Sequence, residues 1–286
     1  MTARDAELAR DLLKSARQAL ERRGSATPAL DARLLLQEAS GVTREAMIAD
    51  PDRTIGPEAA ARFRGFIERR LTGEPVSRIL GHREFYGRDF IVSPATLDPR
   101  PDTETLVEAA LSLMPAGKPC RLVDLGTGTG AIALTLLAER PLAEAVLTDI
   151  SADALAVARA NAGRLGVAAR AGFIAGNWFA GASGRFDLIL SNPPYIPTAI
   201  LPTLESDVRD FDPGTALDGG PDGLAPYREI AARAPFFIAA RGHVIVEIGE
   251  GQAVEIEDIF RSSRMMPENR WKDLAGHVRC LGFTQA

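Results

Sequence analysis

The 286-residue sequence predicts an α/β domain with a mostly parallel sheet, preceded by a small helical bundle. Three observations lead there. From residue 121 onward, short apolar runs of strand length alternate with amphipathic stretches of helix length. A glycine-rich turn follows the first of those runs. Residues 1–75 carry helical periodicity with short connections instead, as a bundle does. The length suits one large domain or two ordinary ones. A hydrophobic fraction of 46% with 25% charged residues is that of a globular chain able to bury a core.

In the amino-terminal region Leu8, Leu12, Leu13, Ala16 and Leu20 recur at helical spacing. Thr27-Pro28 reads as a cap followed by proline at the first helical position. Leu30, Leu34 and Leu35 continue that helix to Gly41, which is placed to stop it. Gly56-Pro57 opens another helix carrying Ala60, Phe63, Phe66 and Ile67, before Gly73 and Pro75. Residues 76–101 change character. Glu84-Phe85-Tyr86-Gly87-Arg88-Asp89-Phe90-Ile91-Val92 sets a glycine between aromatic and β-branched pieces, as a β-hairpin does. Pro94, Pro99 and Pro101 then punctuate the chain. The expected organisation is a helical domain over 1–75, a β-hairpin linker over 76–101 and a larger domain over 102–286.

The larger domain begins with a helix. Asp102-Thr103-Glu104 gives it a carboxylate-rich first turn, and Leu106, Val107, Ala110 and Leu111 give it an apolar stripe. Candidate strands are Arg121–Leu125, Ala145–Thr148, Gly172–Ala175, Phe186–Leu190, His243–Ile248 and His277–Leu281. Candidate helices are Ile132–Glu139, Ala152–Arg164, Ala225–Ala240 and Gln252–Phe260. Residues 196–224, rich in Pro, Asp and Gly, are too many for an ordinary connection and form a candidate functional loop.

Charge and composition exclude several function classes. Acids outnumber bases 38 to 33, a net charge of -5, which argues against a broad cationic surface for nucleic acid. Cys120 and Cys280 form no C-x-x-C pair and read as reduced packing residues. His82, His243 and His277 are scattered without metal-ligand spacing, so no metal is expected. The amino-terminal stretch is charged and lacks a signal-peptide core. No run approaches the roughly 18–20 apolar residues of a spanning helix. A cytoplasmic protein without membrane attachment is the expectation.

Two motifs carry chemistry. Asp124-Leu125-Gly126-Thr127-Gly128-Thr129-Gly130-Ala131 follows a strand and opens a helix. Glycines let the backbone turn tightly and let a ligand approach the main chain. The helix start offers unpaired N–H groups to a carboxylate or phosphate. Asp149 ends the next strand, where an acid can accept both ribose hydroxyls of an adenosine. Read as G-x-G-x-G, the loop suits S-adenosylmethionine; read as Gly126-x-Gly128-x-x-Ala131, it also satisfies the dinucleotide fingerprint.

Ser191-Asn192-Pro193-Pro194-Tyr195 follows the strand Phe186–Leu190 and decides between the two. Successive prolines fix φ and remove two backbone donors. What remains is a rigid edge of acceptors, the Asn192 side-chain carbonyl and the Pro193 backbone carbonyl, beside the Tyr195 ring. A planar –NH2 group matches that edge. An amide nitrogen is a poor nucleophile, and hydrogen bonds from both N–H groups to fixed acceptors can orient it toward a sulfonium methyl. Such positioning is worth up to roughly 7–11 kcal/mol and requires no metal and no prior general base.

These residues resemble a known family. Asn192-Pro193-Pro194-Tyr195 with Gly126–Gly130 looks like an amino-group methyltransferase. With the helical amino-terminal domain, Gly81–Gly87, Pro99-Arg100-Pro101-Asp102-Thr103-Glu104, Asp149-Ile150-Ser151 and Glu247-Ile248-Gly249, the whole chain is similar to the HemK/PrmC family, the peptide chain release factor glutamine methyltransferases. The resemblance implies a seven-stranded, Rossmann-like class I methyltransferase fold. It implies methyl transfer from S-adenosylmethionine, leaving S-adenosylhomocysteine, to the N5 amide nitrogen of the glutamine in the Gly-Gly-Gln loop of class 1 release factors. It further implies that Gly126, Thr127, Gly128, Thr129 and Gly130 hold the methionine part of the cofactor. Asp149 then holds the ribose, and Trp178 lies along the adenine. Asn192, Pro193, Pro194 and Tyr195 form the substrate site, with Asn192 and Pro193 accepting from the glutamine amide and Tyr195 packing on it, and Asn192 also borders the cofactor. The bundle helps to dock the release factor. No direct nucleic-acid contact is expected, and a monomer is.

Two departures from the family pattern stand out. Asn177 in Gly176-Asn177-Trp178-Phe179 replaces the usual Asp, and its carbonyl can still accept a hydrogen bond. Asp98 stands where an apolar residue is usual. Arg100 and Glu104 read either as cofactor contacts or as helix caps, with capping preferred, and Glu247, at a strand end before Gly249, could face the crevice but is assigned no role. The rival readings are an adenine-N6 nucleic-acid methyltransferase sharing the tetrapeptide, a dinucleotide-dependent oxidoreductase, for which that tetrapeptide has no use, and a nucleotide-sensing adaptor.

Overall fold

The computed structural model describes residues 6–286. Residues 1–5, the start of the charged amino-terminal stretch, lie outside them. The chain divides after Gly81 into two compact units. Residues 76–101, set apart in the sequence as a linker, therefore divide between the two units, a short helix in the first and the hairpin in the second.

The first unit holds β1 (Glu7–Leu8), α1 (Ala9–Arg23), α2 (Pro28–Ser40), α3 (Arg44–Ala49), β2 (Thr54–Ile55), α4 (Pro57–Leu71) and α5 (Val76–Leu80). Helix α1 buries Ala9, Leu12, Ala16 and Leu20, the i, i+3, i+4 stripe of an amphipathic helix. In α2 the buried stripe is Asp31, Ala32, Leu35, Leu36 and Ala39, while Leu30 of the expected face is exposed. The reason is polar. Asp31 is buried, lies 2.8 Å from the Arg70 guanidinium of α4 and accepts the Ser25 and Thr27 hydroxyls. Thr27 thus serves Asp31 rather than capping the helix backbone.

The second unit opens with the hairpin β3 (His82–Phe85) and β4 (Arg88–Ile91), then a 3-10 turn Pro101–Thr103 leading into α6 (Glu104–Leu113). There follow β5 (Cys120–Leu125), α7 (Ala131–Glu139), β6 (Ala143–Asp149), α8 (Ala152–Arg164), β7 (Ala171–Ala175) and β8 (Phe186–Ser191). The remainder is α9 (Ser206–Arg209), α10 (Ala225–Phe237), β9 (Ile238–Glu247), α11 (Ala253–Ser262), β10 (Met265–Lys272) and β11 (Val278–Gln285). The seven-stranded sheet runs β10-β11-β9-β8-β5-β6-β7. Strands β9 through β7 in that order are parallel, and β11 lies antiparallel between β9 and β10.

Strand β10 is the one the sequence conceals. It is polar, carries Pro267, and sits at the sheet edge, where the register shifts between Pro267 and Asn269. The expected helix Ala225–Ala240 ends earlier, at Phe237, because Ile238 is already paired with Phe186 of β8. Helices α6, α7 and α8 supply the core on one face of the sheet, and α10 and α11 on the other. Helix α7 is buried from Ala131 to Leu137, as its almost wholly apolar sequence requires. Each fully buried leucine there contributes about 1.5–3 kcal/mol.

Chain direction across the sheet reverses at β5. Strands β6 and β7 lie to one side of it, and β8 and β9 to the other. A parallel sheet opens a crevice at the carboxyl ends of its strands where the order reverses. The glycine loop leaves the end of β5 and Asn192 leaves the end of β8, so both border that crevice.

Candidate active site

The glycine loop is folded back on its neighbour strand. The N–H groups of Gly126 and Thr127 both donate to the Thr148 carbonyl, each at 2.9 Å. Gly130 has φ 81°, a left-handed backbone that favours glycine, and a Cβ there would stand 2.7 Å from a Leu134 methyl. Gly128 N–H donates to Asp149 Oδ2 at 2.9 Å, and Ser151 N–H donates to Oδ1 at 2.8 Å. Asp149 is therefore a carboxylate fixed by two backbone donors, with lone pairs to spare on each oxygen. Trp178 has a left-handed backbone, φ 49°, and its ring lies 3.7 Å from where a Gly126 Cβ would stand.

A cavity of about 600 Å³ occupies the crevice. Gly126, Thr127, Gly128, Thr129, Asp149, Trp178, Asn192 and Pro194 line it. Gly130 and Pro193 are buried and Tyr195 is half-buried, and none of the three is among the lining residues. Tyr195 packs against the core beneath α10 and α11, and Gln252 Nε2 donates to its carbonyl at 3.1 Å. Burial pushes the Tyr195 phenol up to about 12.

Beside Asn192 lies a group of polar side chains with no assigned role in the sequence. Asn192 Nδ2 donates to Thr103 Oγ1 at 3.2 Å. Glu247, at the end of β9, is almost wholly enclosed, and burial pushes its carboxyl up to about 7. The nearby Thr103 hydroxyl and Asn192 amide favour its charged form and oppose the shift. Asp124, below the loop, is fully buried and pushed up to about 6, although the Thr127 hydroxyl donates to it at 2.6 Å.

The long segment 196–224 contributes Pro213, Gly214, Thr215, Ala216 and Asp218–Gly220 to the cavity wall. It is pinned by Asp212, which lies 2.6 Å from Arg100 Nη2 and accepts the Asp98 N–H at 3.4 Å. No local signal could have paired residues 112 positions apart. Asp98 is buried with its carboxylate 3.6 Å from Arg83 of the hairpin, so an ion pair replaces apolar packing there. Asn177 lines the cavity and donates its Nδ2 to Glu229 at 3.3 Å, so its carbonyl remains as an acceptor. Glu104 accepts the Tyr86 N–H at 2.8 Å and so holds the hairpin turn, while Arg100 lines the cavity. Each histidine stands beside a carboxylate: His82 by Asp89, His243 by Glu268, His277 by Glu250. Cys120 and Cys280 are free and buried.

The chain is 48% identical to the release factor glutamine methyltransferase of Agrobacterium fabrum over 286 aligned residues, 98% of each chain. It belongs to the release factor glutamine methyltransferase family. Identity to the family member from Rhodospirillum rubrum is 48%, over 90% of this chain and 79% of the relative. Identity to that from Moorella thermoacetica is 41%, over 95% and 96%. Residues 11–81 match the PrmC N-terminal domain, and residues 100–199 match the Methyltransferase small domain. Among solved structures, a methyltransferase from Pyrococcus furiosus superposes with a TM-score of 0.52 at 18% identity, over 70% of this chain and 89% of its own. The catalytic domain of hMettl16 superposes with a TM-score of 0.56 at 14% identity, over 71% and 78%. At such identities these two speak for the fold alone, which is that of the class I methyltransferases. Family membership sets aside the oxidoreductase and adaptor readings, and does not favour the adenine-N6 one. Among the described residues no helix is long and apolar enough to cross a membrane.

Proposed function

We infer that this release factor glutamine methyltransferase moves a methyl group from S-adenosylmethionine to the N5 nitrogen of the glutamine in the Gly-Gly-Gln loop of a class 1 release factor. The observation that carries the reading is the meeting of Asp149 and Asn192, from the ends of β6 and β8, on one cavity. The cavity fits the donor. Its lining offers a carboxylate pinned by backbone donors, a glycine loop at the start of a helix, and a tryptophan ring. Asp149 would hold the ribose hydroxyls, residues 126–130 the methionine moiety, and Trp178 with Asn177 the adenine. The donor, when bound, supplies an electrophilic methyl on a sulfonium.

The chain's own contribution is orientation. The Asn192 side-chain carbonyl and the Pro193 backbone carbonyl would accept the two amide hydrogens of the glutamine, turning the nitrogen lone pair toward the methyl. No residue need remove a proton first, since the amide proton can leave after transfer. Aligned intramolecular reactions gain up to roughly 7–11 kcal/mol from such positioning. The amino-terminal unit would serve to dock the release factor, and the translation machinery of the cytoplasm would be its setting. Labelled methyl donor supplied with a purified release factor, its Gln→Ala loop variant and duplex DNA tests the reading. Label should appear on the intact release factor only. Label on DNA and none on the release factor would overturn it.

A further inference from the structure

Asn192 is an amide, and an amide can present either its oxygen or its nitrogen to the cavity. Which one it presents decides what it can bind. The two groups beside it are Thr103, 5% exposed and itself on the cavity wall, and Glu247, 2% exposed and off that wall. Asn192 Nδ2 donates to Thr103 Oγ1 at 3.2 Å, and Thr103 and Asn192 both stand close enough to Glu247 to favour its charged form. Glu247 Oε2 has no partner of its own. An ionised carboxylate only accepts. If it takes the Thr103 hydroxyl hydrogen, the threonine oxygen is left to accept as well. Both groups beside Asn192 then call for its –NH2, and turning the amide over would set oxygen against oxygen.

We propose that Thr103 and Glu247 form a positioning pair that locks the Asn192 amide with its carbonyl toward the cavity, so that the site selects a side chain presenting N–H donors, a neutral primary carboxamide, over the isosteric carboxylate. This rests on the glutamine reading given above. The device is polarised by the charge on Glu247. A protonated Glu247 could donate to Thr103, which could then donate to Asn192 Oδ1 and stabilise the wrong orientation. Around Glu247 stand Arg279 and Cys280 of β11, Asp102 beside Thr103, Tyr195 after β8 and Tyr227 of α10. Arg279 is shared with Asp102 at 3.1 Å and Asp273 at 3.0 Å. Burial outweighs Arg279 and the nearby donors and pushes the carboxyl up to about 7. Loss of the proton there switches the lock on.

Kinetics of the full-length enzyme with a release factor substrate separate this from a merely structural role. Thr103→Val should lower kcat about tenfold or more while the dissociation constant for S-adenosylmethionine changes less than about threefold, and Thr103→Ser should restore most of kcat. In the wild type, kcat should fall as pH drops through about 7. The near-isosteric Glu247→Gln, which cannot titrate, should have a low kcat without that acid limb. It decides the matter even if Thr103→Val fails to fold. Unchanged kcat in the variants, or an acid limb that persists in Glu247→Gln, would overturn the positioning pair. A wild-type enzyme that leaves the release factor unmethylated would overturn the glutamine reading instead.

Discussion

Ser191 Oγ donates to the backbone carbonyl of Leu125 across 2.8 Å, in the fully buried layer where β8 lies beside β5. One hydroxyl thus ties together the two strand ends from which the glycine loop and the Asn192 edge depart. Ser191→Ala should cost about 1 kcal/mol of stability, the net worth of one buried hydrogen bond. It should cost proportionately more in kcat, because the distance between donor and acceptor sites is what the bond maintains. Denaturant unfolding beside steady-state kinetics would check both, and an unchanged midpoint would count against the bond.

Asp149 is held by the Gly128 and Ser151 N–H groups, so it is already oriented before any ligand arrives. Asp149→Ala should weaken S-adenosylmethionine binding about 10- to 100-fold, the loss of one or two charge-assisted hydrogen bonds. Calorimetric titration reads this directly. Affinity within about twofold of the wild type would remove Asp149 from the donor site.

A Cβ added at Gly130 would stand 2.7 Å from a Leu134 methyl and 3.3 Å from the Ala158 Cβ. Gly130→Ala adds this overlap to a left-handed backbone, and should destabilise by about 1–3 kcal/mol. Thermal melting of the variant gives the answer.

The buried pair Asp31 and Arg70 is expected to be costly to break from one side. Arg70→Met leaves the Asp31 carboxylate enclosed with only two hydroxyls, at a cost of about 3 kcal/mol. Replacing both residues by apolar ones of similar volume should recover most of that loss, which a double-mutant cycle would reveal.

The pH dependence of stability has a definite sign. Burial holds Asp124 at about 6 in the folded state, above its ordinary 3.8. The folded carboxyl binds its proton more tightly than the unfolded one, so this group favours folding below the ordinary value. That advantage is lost as pH rises through about 6. Between these values Asp124→Asn should therefore show a flatter decline of melting temperature with pH than the wild type. Parallel curves would mean that Asp124 does not titrate there.

How much of this could be read from the residues alone depends on whether a feature is local. The glycine loop and Asn192-Pro193-Pro194-Tyr195 announce themselves because each sits at a strand end and carries its chemistry in consecutive residues. The ladder of β5, β6, β7 and β8 is legible because buried parallel strands are continuous apolar runs. Strand β10 is not, since an edge strand may be polar and may contain proline. The shifted face of α2 was hidden by Asp31, an acid that only Arg70, 39 residues later, makes tolerable in a core. Thr103 and Glu247 lie at the ends of different elements, and nothing near either in sequence points to Asn192.

Strand β11 has a consequence for how the enzyme comes into being. It is the last of the seven strands in sequence, yet it lies between β10 and β9 rather than at an edge. During synthesis the glycine loop and the Asn192 edge leave the ribosome well before it. Until β11 inserts, β9 presents an open edge and Glu247 lacks its neighbours Arg279 and Cys280. The nascent polypeptide therefore holds the glycine loop and the Asn192 edge before the middle of its sheet is complete.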